Sequence, residues 1–105
     1  MEIRDFQARI ADLYIEKDKR RGVEPTFLWL MEEVGELARE VNHRFGEKTK
    51  KAEEPEDSIA MELADIVFVV ICLANSQGID LDDAFADMMR KVTSRDADRW
   101  TRKAR

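Results

Sequence analysis

Residues 58–75, Ser-Ile-Ala-Met-Glu-Leu-Ala-Asp-Ile-Val-Phe-Val-Val-Ile-Cys-Leu-Ala-Asn, restrict the fold of this chain more than any other stretch. From Ile59 to Ala74 every residue is apolar except Glu62 and Asp65, and no Gly or Pro interrupts the run. A run this long predicts a buried helix rather than a strand. It is short and acidic for a membrane span. On a helix, Glu62, Ile66, Val69 and Leu73 recur at the 4-3-4 spacing of a packing seam, so Glu62 stands where a core residue belongs. Asp65, three residues on, points to nearly the same side. Two carboxylates in an apolar helix are costly unless something pairs with them. What pairs with them is the functional question.

The rest of the chain reads as three more helices. Ile3, Phe6, Ile10 and Leu13 give heptad spacing over about 3–17, closed by a charged turn ending at Gly22. Pro25 suits the first turn of a second helix, near 25–44, with the stripe Phe27, Leu30, Val34, Leu37 and Val41. Residues 47–57 read as a solvated loop, and Pro55-Glu56-Asp57 as an acidic start for the third helix, near 56–75. Asp80 caps a fourth, near 80–95, whose seam is Leu81, Phe85, Met88 and Val92. With 105 residues, one domain spanning 1–105 is expected. Four amphipathic or buried helices with mostly short connections predict an all-α, antiparallel four-helix bundle. Val67, Val70 and Ile71 lie away from Glu62 on a helix apolar nearly all round, so self-association through the helices is expected as well.

Composition narrows the partners. A net charge of −5 excludes a nucleic-acid coat, and no nucleic-acid polymer or membrane is expected to bind. The single cysteine, Cys72, cannot form a disulfide within the chain. Glu2, Arg4 and Asp5 break any apolar signal segment, so a reducing, cytoplasmic location is expected.

A second acidic pair lies on the second helix. At about 100° per residue, Glu33 and Glu36 lie side by side, flanking the Leu30/Val34/Leu37/Val41 seam, while Glu32 turns toward solvent. Antiparallel packing of Glu33-x-x-Glu36 against Glu62-x-x-Asp65 would gather four carboxylates in one low-dielectric place. Like charges so close call for cations, and hard divalent ions with oxygen ligands, Mg²⁺ or Mn²⁺, fit best. An iron centre of the ferritin type wants Glu-x-x-His, and the only histidine, His43, follows neither pair.

Glu32-Glu33-Val-Gly-Glu36-Leu, followed after 25 residues by Glu62-Leu-Ala-Asp65, resembles the EExxE…ExxD signature of the MazG-like, all-α nucleoside triphosphate pyrophosphohydrolases. Thr26-Phe-Leu-Trp-Leu before it, Gly78-Ile-Asp-Leu-Asp-Asp-Ala after it and a basic fourth helix extend the resemblance over most of 24–100. It implies Mg-dependent hydrolysis of a nucleoside triphosphate to the monophosphate and pyrophosphate, in keeping with nucleotide-pool house-cleaning. It also implies Glu33, Glu36, Glu62 and Asp65 as metal ligands, Glu32 as the group that orients or deprotonates water, and a homodimer or homotetramer. Where many relatives carry Asn in the fourth helix, near Thr93 or Ser94, this chain has none.

Cations on the fourth helix suit the polyphosphate: Lys91 and Arg95 are one turn apart, and Arg99 follows. Trp29 falls on the side of Glu33 and Glu36, where it would stack on a base or pack in a subunit interface. Each reading has a plainer rival. The acids of the third helix would be satisfied by a buried salt bridge, and the cations of the fourth by solvent. The function alternative is a non-catalytic helical module, an oligomer that binds metal or a partner without turnover.

Overall fold

The computed structural model describes residues 2–46 and 58–103, with side chains through Arg95. These residues form four helices and no strand: α1 (Ile3–Arg21), α2 (Val23–Phe45), α3 (Ile59–Ser76) and α4 (Leu81–Lys103). The predicted loop at 47–57 and the proposed Pro55–Asp57 helix start lie outside the described residues.

Local chemistry sets each boundary. The Glu2 backbone N–H donates to Asp5 Oδ2 at 2.9 Å, closing half a capping box at the start of α1. The helix then runs past Lys17, where the charge cluster predicted a turn, because nothing breaks it before Gly22. Gly22, at φ +86°, ends α1 and opens α2 directly, and its carbonyl accepts from Thr26 Oγ1 at 2.7 Å. A side chain at that φ would be strained. Ser58 Oγ accepts from the Met61 N–H at 3.0 Å, so α3 begins at Ile59 rather than near 56. It ends in a Schellman turn: Ile79 N–H donates to the Ala74 carbonyl at 2.9 Å and Gly78, at φ +68°, donates to Asn75 at 3.2 Å. Asp80 caps α4 as its sequence position predicts, accepting from the Asp82 and Asp83 N–H groups at 2.9 and 3.3 Å. Helix α4 continues to Lys103, beyond the predicted end near 95.

Helix α3 is the centre of the fold. It packs on both α1 and α2, and among the described residues the buried apolar ones, Val69, Ile71, Cys72 and Ala74, are all its own. By length and composition α3 is apolar enough to cross a membrane, with mean hydropathy 1.9 over 18 residues. Its position between two amphipathic helices is that of a core helix. Phe68 ties the three together, meeting Tyr14 of α1 and Trp29 of α2 edge-on at 5.7 and 5.9 Å between ring centroids.

The predicted seams are only partly buried. On α1 the covered stripe is Gln7, Ala11, Ile15 and Asp18, while Phe6 is exposed and Leu13 is 72% exposed. On α2, Leu30 and Leu37 are half-buried, but Phe27, Val34 and Val41 are exposed. On α3, Ile71 is buried rather than turned outward, whereas Val67 is exposed. Helix α4 packs on α1 and faces α3 across an apolar groove lined by Ile3, Val67, Val70, Leu81, Phe85 and Met88. The Cα radius of gyration, 17.7 Å, exceeds the roughly 13 Å of a compact domain of this length.

Two polar devices tie α1 to the α3–α4 connection. Arg4 Nε donates to Asp82 Oδ2 at 2.8 Å; this bond, followed by the charge of Asp80, raises the guanidinium above its ordinary range, and the same bond lowers Asp82. Both groups are solvent-facing, so screening keeps the contribution small. The second device is inside. Gln7, 7% exposed, donates from Nε2 to Asn75 Oδ1 at 3.1 Å and to the Ile79 carbonyl at 2.8 Å, while its Oε1 accepts from the Leu81 N–H at 2.8 Å. Asn75 returns a bond to the Gln7 carbonyl at 3.0 Å. Removing one member leaves the others unpaired in a shielded place. Gln7→Ala is therefore expected to cost about 1–3 kcal/mol, read as a lower urea midpoint at unchanged slope. A midpoint equal to that of the wild type would show the clamp to be dispensable.

Candidate functional site

Helices α2 and α3 bring acids together. Trp29 meets Phe68, and one turn further along α2, Glu33 meets Glu62 and Asp65, one to two turns back along α3. The two helices are thus antiparallel, as the sequence predicts. One carboxylate oxygen from each of Glu33, Glu62 and Asp65 lies within 4.8 Å of the others. Glu62 is 3% exposed, and Glu33 and Asp65 are half-buried. Three carboxylates at that separation repel one another, and burial removes the water that would screen them. A hard divalent cation fits this all-oxygen donor set.

The other predicted site residues are placed differently. Glu36, one turn beyond Glu33, is exposed and lies outside this group of three; Glu32 is exposed on α2. Lys91 and Arg95 are exposed on α4, the helix that packs on α1. The side chain of Arg99 lies outside the described residues. Trp29 is half-buried and donates from Nε1 to Glu33 Oε1 at 3.2 Å, which fixes the orientation of that carboxylate. The guanidinium of Arg21 lies over its ring, 4.7 Å from the centroid.

Beside the acidic group, a cavity of about 270 Å³ opens between α1, α2 and α3, lined by Tyr14, Lys17, Asp18, Arg21, Trp29, Phe68 and Cys72. Sequence reasoning missed most of this wall. Asp18 reads as part of a charged run, yet it is 1% exposed and paired with Arg21 Nη1 at 2.9 Å. The available signal was spacing: Gln7, Ala11, Ile15 and Asp18 follow one helical face with polar residues at both ends.

A model of the MazG nucleotide pyrophosphohydrolase domain matches residues 21–100, a span that contains both acidic motifs. The chain belongs to that family. It is 50% identical over 103 residues to the uncharacterized protein YpjD of Bacillus subtilis (strain 168), covering 96% of this chain and 92% of YpjD. The crystal structure of YpjD superposes with a TM-score of 0.70 at 45% identity, over 87% of this chain and 94% of that one. At the family level, then, the activity is nucleotide pyrophosphohydrolysis, and MazG-type enzymes generally depend on a divalent metal. The acidic group of Glu33, Glu62 and Asp65 has the oxygen donors that could hold such an ion.

Cys72, 1% exposed, adjoins the cavity. Burial, and after it the charge of nearby Asp18, pushes its thiol from an ordinary 9.0 up to about 12. The folded protein therefore holds this proton more tightly than the unfolded chain. Its contribution to stability is full below about 9.0 and is lost as the pH climbs from there toward about 12. At mildly alkaline pH, a thiol reagent such as Ellman's is expected to react with Cys72 only after denaturant is added. Rapid stoichiometric reaction of the native protein would contradict this placement.

Proposed function

We propose that the protein hydrolyses a nucleoside triphosphate to the nucleoside monophosphate and pyrophosphate, with Mg²⁺ as its cofactor and Mn²⁺ as an acceptable substitute. The observation that carries this reading is the meeting of Glu33, Glu62 and Asp65 within 4.8 Å, from two helices whose acidic motifs lie inside the matched family span. In this reading those three carboxylates hold the metal, and Glu36 completes the set from the exposed turn after Glu33. When bound, the ion would neutralise phosphate charge and make water more acidic. Glu32 orients the attacking water and takes its proton. The water oxygen bonds to the α- or β-phosphorus, and the bridging P–O bond between them breaks, so the leaving group is a phosphate oxygen of the other fragment. Lys91, Arg95 and Arg99 take up negative charge on the polyphosphate. Trp29 positions Glu33 through the indole N–H. Cleavage at the terminal phosphate is disfavoured because the chain has no Gly-rich loop with a following Lys to cradle it.

Incubating the protein with Mg²⁺ and a panel of nucleoside triphosphates, with pyrophosphate and orthophosphate assayed separately, tests this. Pyrophosphate is expected as the first product. Mg²⁺ should also raise the melting temperature of the wild type, since it binds the folded state alone, and Asp65→Asn should abolish both that rise and turnover. Glu32→Gln should lower kcat by about 100-fold or more while keeping the Mg²⁺-induced rise. Orthophosphate as first product, or full activity in Glu62→Gln, would defeat the reading.

The protomer also leaves much apolar surface uncovered: Phe6, Leu13, Phe27, Leu28, Val34, Met61, Val67 and Phe85 are all exposed. A surface this apolar favours burial against another copy, which supports a homodimer or homotetramer as the working unit. Sedimentation at micromolar concentration is expected to show no monomer; a stable monomer would refute this.

A further inference from the structure

The cavity between α1, α2 and α3 has two properties beyond its shape. Its walls are aromatic on three sides, with Tyr14, Trp29 and Phe68 contributed by three different helices. Its polar wall is Asp18, almost wholly buried, whose Oδ1 accepts from Arg21 while Oδ2 has no hydrogen-bond partner. The adjacent Cys72 thiol leans on the Asp18 carboxylate, which helps hold its proton, but a thiol is a weak donor and leaves Oδ2 without a hydrogen bond of full geometry. A buried acceptor left unpaired is expensive, so a group that brings it an N–H is strongly preferred there over one that brings another oxygen. Arg21 already indicates which kind of group the place holds. It is planar, it carries N–H donors, it lies over the Trp29 indole and it donates to the Asp18 carboxylate.

Trp29 also connects this cavity to the acidic group, because its ring forms the wall while its N–H holds Glu33. A nucleotide whose phosphates sit at the acids can thus extend its base past the indole into the cavity. Aromatic walls stack on any base, but the carboxylate reads the edge. Cytosine and adenine present an exocyclic amino group, whereas uracil and hypoxanthine present a carbonyl oxygen at the same place. Lys17 and Arg21, at the rim, offset the carboxylate's charge for an anionic ligand.

From this geometry we infer that the cavity is the base site and that Asp18 selects amino-bearing bases, cytosine or adenine, over their carbonyl counterparts. The inference rests on the nucleotide reading above and adds its substrate class. Because Oδ2 is screened from solvent, the Arg21 side chain, which forms the half-exposed wall, gives way as the base enters.

The test is calorimetric binding, in the presence of Mg²⁺, of non-cleavable α,β-methylene analogues of CTP against UTP and of ATP against ITP. The wild type is expected to favour the amino-bearing member of each pair by about ten-fold. Asp18→Asn, nearly isosteric, should erase the preference; Tyr14→Leu, which removes a wall and leaves the carboxylate, should weaken all four analogues and keep it. Should Asp18→Asn fail to fold, the two wild-type ratios decide the matter. Equal affinities within each pair in the wild type, a ratio unchanged in Asp18→Asn, or no binding of any analogue would overturn the inference. Hydrolysis is read separately. Base preference without pyrophosphate release sinks the proposed reaction and leaves the base site standing, while pyrophosphate release with equal affinities sinks the base site alone.

Discussion

The buried carboxylate of Glu62 is the constraint on which this structure turns. Among the described residues helix α3 contributes the buried apolar side chains of the core, and Glu62 sits in the same seam, about one turn from Ile66 and two from Val69. A lone carboxylate there would cost several kcal/mol. The fold also brings Asp65 and Glu33 within 4.8 Å of it, so three acids share one shielded place. Charge repulsion of that kind must be offset within the folded state, and a cation that binds the folded state alone would offset it. Core packing and the candidate chemistry therefore depend on the same helix.

How much of this was legible follows from what periodicity can see. Hydrophobic spacing and the two acidic motifs gave the helix count, the antiparallel pairing of α2 with α3, and the meeting of Glu33 with Glu62 and Asp65, because all of these rest on side chains whose polarity differs sharply from their neighbours'. The buried face of α1 was not legible. Gln7 and Asp18 are polar, so a rule that buries apolar residues selected Phe6 and Leu13, which the protomer leaves exposed. Gln7 is buried for its hydrogen bonds to Asn75, Ile79 and Leu81, and Asp18 for its pairing with Arg21. Those partners lie in other elements or look like part of a charged turn, and nothing local announces them. The end of α1 was misplaced for the same reason: a cluster of charges is a turn signal only when a breaker accompanies it, and the breaker is Gly22.

The exposed halves of the α1, α2 and α4 seams keep the periodicity of the buried halves. Phe27, Val34 and Val41 repeat on α2 as regularly as Leu30 and Leu37, and a stripe that wide is more than α3 alone can cover. The same excess appears at Phe85 and Met88 on α4, a helix that touches the rest of the protomer chiefly through α1. Sequence patterning reports that a face is apolar without reporting whose face covers it, so a subunit interface and an internal core write the same signature.

Trp29 shows how closely the two parts of the site are joined. Its indole N–H donates to Glu33 at 3.2 Å, its ring meets Phe68 of the core helix, and Arg21, bonded to buried Asp18, lies over its face. A change at either end is therefore felt at the other. Whatever displaces Arg21 from the indole alters the support of the ring that orients Glu33, and whatever draws Glu33 toward a cation pulls on the wall of the cavity. A side chain with a polar handle and a large apolar body is suited to that position, because it holds a carboxylate with one end while the other completes a packed core. A leucine there would fill the space against Phe68 but leave Glu33 free to turn toward solvent, where its distance from Glu62 would no longer be set by the fold.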